Sequence, residues 1–141
     1  MLSRLLQAAR CAISNDAFDK REALIGAVGE RADGAIVYSR NTAVFDSECA
    51  NTNVPTPFQP AHAEWKLAKK LDTGATVYVA RVRKDGSLAM SRPCPGCERV
   101  LRSRKVMRVF YTINPTSYGI WNLITNVERV IEKTELIPYA H

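Results

Sequence analysis

Only five residues, Ile113-Asn114-Pro115-Thr116-Ser117, separate two apolar, strand-like runs at 106–112 and 118–121. Five residues close a hairpin but cannot carry the helical crossover that a parallel neighbour needs, so the closing strands must run antiparallel. An all-parallel sheet is thereby excluded. A second hairpin is marked at Ala32-Asp33-Gly34, between apolar runs at 24–29 and 35–38, because an Asp-Gly pair favours a tight turn. Leu2, Leu5, Leu6, Ala9 and Ile13 recur at helical spacing and predict an opening amphipathic helix that ends near Asn15-Asp16. Residues 61–71 have helical composition, with Gly74 placed as a cap, and 76–80 reads as a strand followed by a turn at 84–87. Pro93 precedes a helix over 94–104, and Thr125-Asn126-Val127-Glu128 reads as a capping box for a short final helix through Glu132. The order α-β-β-α-β-α-β-β-α predicts one domain over 1–141, an α/β fold. Its architecture is a three-layer α/β/α sandwich around a mixed five-stranded sheet.

The 141 residues suit one domain with its own core, and no run approaches the 18 apolar residues of a membrane span. Arg4 and Arg10 interrupt the N-terminal stretch, which lacks the apolar core of a secretory signal, so a cytoplasmic protein with no membrane association is expected. The longest irregular stretch, 41–60, carries Pro55, Pro57 and Pro60 and reads as a binding loop or a flexible segment. Net charge is +6, and between Arg81 and Arg108 nine Lys or Arg face only Asp85 and Glu98. A solvated basic face and an anion-binding face are both compatible with that excess.

Cys94-Pro95-Gly96-Cys97 sets two thiols one helical turn apart, which in a reducing compartment points to metal or redox chemistry. Cys11 lies in an apolar helical stretch and reads as core, while Cys49 has no partner at metal spacing. His62, Cys94 and Cys97 fall at the starts of two predicted helices. Thiolates there are favoured by unpaired N–H groups and the helix dipole. One His and two Cys make three protein ligands for zinc, the number of a catalytic rather than a structural site. Glu64, two residues after His62, can address the same centre at an irregular helix start and move protons there.

His62-Ala63-Glu64 followed by Pro93-Cys94-Pro95-Gly96-Cys97 matches the signature of the zinc nucleobase deaminases, and the chain resembles the cytidine deaminase superfamily from its first helix to Trp121. The resemblance implies one zinc per chain on His62, Cys94 and Cys97, with Glu64 as the catalytic proton shuttle. It implies substrate contacts at Asn41, which matches a sugar-binding asparagine, at the backbone of Ala63, and around Pro93. It also implies a homo-oligomer. Two positions depart from the family pattern. Ala43 stands where free-cytidine enzymes carry a sugar-gripping Glu, and Arg92 stands where Ser or Thr precedes Pro-Cys. Arg92 is able to meet a phosphate.

The expected function is therefore hydrolytic deamination of a free cytosine nucleoside or nucleotide, the partner being that small molecule. The antiparallel last strand resembles the free-cytidine branch of the family. The alternatives are an editing enzyme acting on RNA or single-stranded DNA, which the basic segment suggests, and a zinc-stabilised binding module without catalysis. A polynucleotide enzyme needs aromatic stacking positions along its groove, whereas Trp65, Tyr78, Tyr111, Tyr118 and Trp121 mostly fall where core packing explains them.

Overall fold

A computed structural model describes residues 2–13, 24–41 and 62–132. In chain order they form α1 (Leu2–Ala12), β1 (Leu24–Glu30), β2 (Ile36–Arg40), α2 (Ala63–Ala68), β3 (Thr76–Val82), β4 (Leu88–Ala89), α3 (Pro95–Ser103), β5 (Arg108–Asn114), β6 (Ser117–Asn122) and β7 (Val127–Ile131). The strands make one mixed sheet of order β2-β1-β3-β5-β6-β7, with β4 alongside the end of β3. β3 and β5 are the parallel pair, and the 94–104 helix expected between them is α3; the remaining pairs are antiparallel. None of the described helices is long and apolar enough to cross a membrane.

Alternation along the central strands builds two cores. Val77 and Val79 of β3 pack with Leu67, Ala68 and Leu101 from α2 and α3, whereas Tyr78 and Ala80 pack with Leu5, Ala8, Ala9 and Ala12 of α1. The described residues therefore form three layers, with α1 on one face and α2 and α3 on the other. α1 lies almost directly on β1 because Gly26 has no side chain. A Cβ there would sit 2.1 Å from the Ala8 carbonyl oxygen and 2.6 Å from the Ala12 nitrogen, both backbone atoms that cannot step aside. Gly26→Val is expected to cost about 3 kcal/mol or more, by forcing α1 off the sheet. Urea unfolding measures this, and a loss under about 0.5 kcal/mol, the range of an ordinary surface change, would contradict the close packing.

Two strands depart from the five-stranded expectation. Residues 127–131 form β7 and not a helix: Asn126 takes φ +58, Asn122 Oδ1 accepts the N–H groups of Ile124 (2.9 Å) and Thr125 (3.0 Å), and the chain folds back antiparallel on β6. Val127, Val130 and Ile131 are β-branched, and a helix of eight residues gains too little to compete with closing the open edge of β6. The other addition, β4, is two residues long. The helix expected over 61–71 is shorter, ending as α2 at Ala68 with turns to Lys70. The 41–60 stretch, apart from Asn41, and Cys49 lie outside the described residues, as does the expected end of the first helix.

Candidate metal centre

The centre sits where β3 and β5 part. Their pairing covers Thr76–Val79 against Arg108–Tyr111, and beyond it β4 takes the edge of β3. Ser91 fills the gap. Its N–H donates to the Thr112 carbonyl (2.8 Å), its hydroxyl lies 2.9 Å from the Val79 carbonyl, and that hydroxyl accepts the Thr112 N–H (2.8 Å). The Thr112 hydroxyl donates to the Ala89 carbonyl at 2.7 Å. These buried polar groups satisfy one another, so the wedge is stable although it interrupts the sheet. A crevice beyond the carboxyl ends of the strands is the usual ligand position in open α/β sheets. From the wedge the chain passes through Arg92 and Pro93 to Cys94.

Cys94 is the N-cap of α3, extended at φ −68 and ψ 164, with Pro95 opening the helix. Its sulfur accepts the Cys97 N–H at 3.5 Å. His62 caps α2 in the same extended geometry, φ −80 and ψ 144, which turns its ring toward α3. Lys66 Nζ donates to the Arg40 carbonyl (3.0 Å) and Lys70 Nζ to the Tyr38 carbonyl (2.8 Å), pinning α2 to the edge of the sheet. His62 Nδ1 thus lies 3.0 Å from Cys97 Sγ and 3.4 Å from Cys94 Sγ. The three ligand atoms fall within 4.8 Å of one another, close enough to hold one metal ion. Tetrahedral zinc with nitrogen at 2.0–2.1 Å and sulfur at 2.3 Å sets N and S about 3.6 Å apart and two sulfurs about 3.8 Å apart, so small outward shifts accommodate the ion. Two soft thiolates and an imidazole are the donor set zinc prefers.

The electrostatics agree with a thiolate site. The Cys97 thiol donating to Cys94, opposed by burial and joined by the His62 ring and the Cys97 N–H, lowers the Cys94 thiol from 9.0 to about 4. Its hydrogen bond to Cys94 in turn raises His62. A depressed thiol is ionised from its own pKa upward, so metal-free protein should react with iodoacetamide at Cys94 at a rate nearly flat from pH 5 to 8. An ordinary thiol is roughly 0.3% ionised at pH 6 and its rate climbs about tenfold per unit. Mass spectrometry of alkylated peptides distinguishes the two, and a steep climb at Cys94 would contradict the geometry.

Glu64 enters from the first turn of α2, 4% exposed. Burial pushes its carboxyl upward, and its interactions with His62, Cys94 and Cys97 show that it shares their enclosure. Its Oε1 is buried with no hydrogen-bond partner among the described residues. Such an atom is costly unless something else meets it, which marks it as available to a ligand of the centre. Ala63 is fully buried and Pro93 buried beside the cysteines. Trp65, not singled out as part of the site by sequence, packs directly on Cys97. No pattern in the sequence separates it from an ordinary core tryptophan.

Two further residues have engagements of their own. Asn41 is buried and tied to β1, its Oδ1 accepting the Ile25 N–H and its N–H reaching the Ile25 carbonyl, both at 3.0 Å. Arg92 is held by Glu128 of β7, with Nε 2.9 Å from Oε2 and the second nitrogen 3.4 Å from Oε1, and its guanidinium lies 4.1 Å over the Trp121 ring. Tyr111 also donates to Glu128. Arg102 of α3 stands 5.4 Å from the same ring centre and binds the Leu123 carbonyl and Asn126 Oδ1. Trp121 is thus gripped by one arginine before the cysteine pair and one after it. Glu128 was unreadable in this role because it fell in an expected helix. Cys11, expected in the core, is half-buried with its thiol donating to the Ser39 carbonyl at 3.2 Å.

Searched against models of known protein families and against curated proteins, the chain matches none.

Proposed function

We propose that this chain is a zinc-dependent hydrolase that deaminates a free cytosine nucleoside or nucleotide, of the cytidine, deoxycytidine or dCMP type, to the uracil product and ammonia. The reading is carried by one juxtaposition: three metal-ligating side chains with a buried carboxyl, Glu64, enclosed beside them. His62, Cys94 and Cys97 would hold the ion, which when bound supplies Lewis acidity that activates water at neutral pH. Glu64 takes a proton from the attacking water, gives it to the ring nitrogen and then serves the departing amine. Burial raises its pKa, the direction that helps a carboxyl hold a proton between taking it and giving it up. Ala63 and Pro93 adjoin the ligands in the chain, and by the resemblance the backbone of Ala63 and the residues around Pro93 would meet the base edge.

A small substrate is favoured by the aromatic residues. Trp65, Tyr78, Phe110, Tyr111, Tyr118 and Trp121 are all buried, and Tyr38 is the one exposed aromatic among the described residues. A strand-binding groove needs several exposed rings. Arg92 serves a 5′-phosphate only if the phosphate displaces Glu128, so its contribution is read by comparing nucleoside and monophosphate in Arg92→Ala.

Ammonia release from a panel of nucleosides, monophosphates and short oligonucleotides tests the proposal. Monomers should be deaminated faster than any oligonucleotide, with affinity falling gently with salt. An oligonucleotide that outpaces every monomer, with a salt slope of about −0.7 per phosphate contact, would make the editing reading correct instead.

A further inference from the structure

On the face of the sheet that carries α1, the helix lies over β1 and β3 and leaves β5, β6 and β7 beyond it. There Arg108, Ile120, Asn122, Thr125, Val127 and Arg129 line an open depression of about 360 Å³, the two arginines, Thr125 and Val127 exposed, on the opposite side of the sheet from α2 and α3 and therefore from the metal ligands. Strand register sets Arg108 opposite Asn122, Asn122 opposite Val127, and Ile120 opposite Arg129. The two arginines stand two strands apart and two residues out of step, about 12 Å between backbones from strand spacing and rise. Long side chains from those positions can close on one ligand.

The polar lining is made of donors. It holds two guanidiniums, the Thr125 hydroxyl and the Asn122 amide, whose oxygen is already taken by the Ile124 and Thr125 N–H groups. It contains no carboxylate. Some arginines of this chain do have carboxylate partners: Arg31 meets Asp33, Arg92 meets Glu128 and Arg102 meets Glu98, each at 2.9 Å. Arg108 and Arg129 have no ion pair among the described residues, though they share a cavity. Arg108 also faces the Tyr78–Glu30 pair, but no carboxylate lines the space it shares with Arg129, and an anion with two charged ends would fill both forks there. Ile120 and the exposed Val127 add apolar surface, and the volume lies at the small end of small-molecule sites.

We propose that this cavity is a second ligand site, for a phosphate-bearing small molecule, with a diphosphate matching the two arginines best. It is independent of the metal centre and does not rest on the deaminase reading. Calorimetric titration of the zinc-loaded protein with inorganic pyrophosphate, and separately with ADP, tests it. Saturable binding is expected, weakened about tenfold or more in Arg108→Gln and in Arg129→Gln and unchanged within twofold in Arg83→Gln, a cation outside the cavity. Equal affinity for both probes would mean that phosphate alone is read; tighter ADP would mean that the apolar surface takes the nucleoside, and either supports the site. Thermal unfolding of each variant separates lost binding from lost fold. Three results would overturn the proposal: no saturable binding of either probe, binding that survives in the folded double variant Arg108→Gln, Arg129→Gln, or binding only of a single-stranded oligonucleotide with a steep salt slope.

Discussion

Cys94→Ser, Cys97→Ser protein is expected to hold no zinc after dialysis against a mild chelator, while the parent keeps one ion per chain. Serine is nearly isosteric, so α3 and its packing through Leu101 should persist. What changes is the donor. An alcohol stays protonated at neutral pH and ligates zinc poorly, whereas the site as folded already stabilises a thiolate at Cys94. His62 alone cannot retain the metal. Native mass spectrometry counts the zinc, and one ion per chain in the folded double variant would show that the metal is held elsewhere.

Glu64→Ala should do the opposite: keep the zinc and lose the reaction. Glu64 is not counted among the three converging ligand atoms, so its removal leaves the donor set intact. It removes a buried carboxyl whose Oε1 meets nothing among the described residues and whose hydrogen bonds go to its own N–H and to Cys97, so no element outside the centre loses a partner. General acid–base catalysis contributes about 10²–10⁴-fold, and a group serving successive proton transfers belongs at the upper end. Turnover should therefore fall roughly 10⁴-fold at unchanged zinc content, with Glu64→Gln no better, since an amide cannot carry the proton. A Glu64→Ala protein within tenfold of the parent would remove Glu64 from the mechanism.

The residues that could be read in advance were those whose signal is local. Asp33-Gly34 forecasts a turn because only a few residues tolerate positive φ, and Gly34 takes φ +93. The pentapeptide before Ser117 forecasts an antiparallel pair through chain length alone, and β5 and β6 pair that way. Cys94 and Cys97 forecast a shared site because helical geometry brings residues three apart together. His62 is expected beside them from the helix starts and the signature, and two caps facing each other across α2 and α3 bring it there, which helical spacing alone does not encode. The failure at 125–132 is instructive. Thr125-Asn126-Val127-Glu128 satisfies a helix-start pattern locally, yet β6 offers an unpaired edge and β-branched side chains fit it. Tertiary context decided. The same holds for Ser91 and Thr112, which bond each other where β3 and β5 part, and for Glu128, which reaches Arg92 from 36 residues away.

Zinc X-ray absorption on the loaded protein tests the metal centre most directly. Two sulfur scatterers at about 2.3 Å and two light atoms at about 2.0–2.1 Å are expected, one of the light atoms being the His62 nitrogen and the other from solvent. A shell of three or four sulfurs would bring Cys11 or Cys49 into the coordination and make the site structural. A shell of nitrogen and oxygen alone would mean that Cys94 and Cys97 do not hold the ion. Either result would contradict a three-ligand centre with one position open to substrate chemistry.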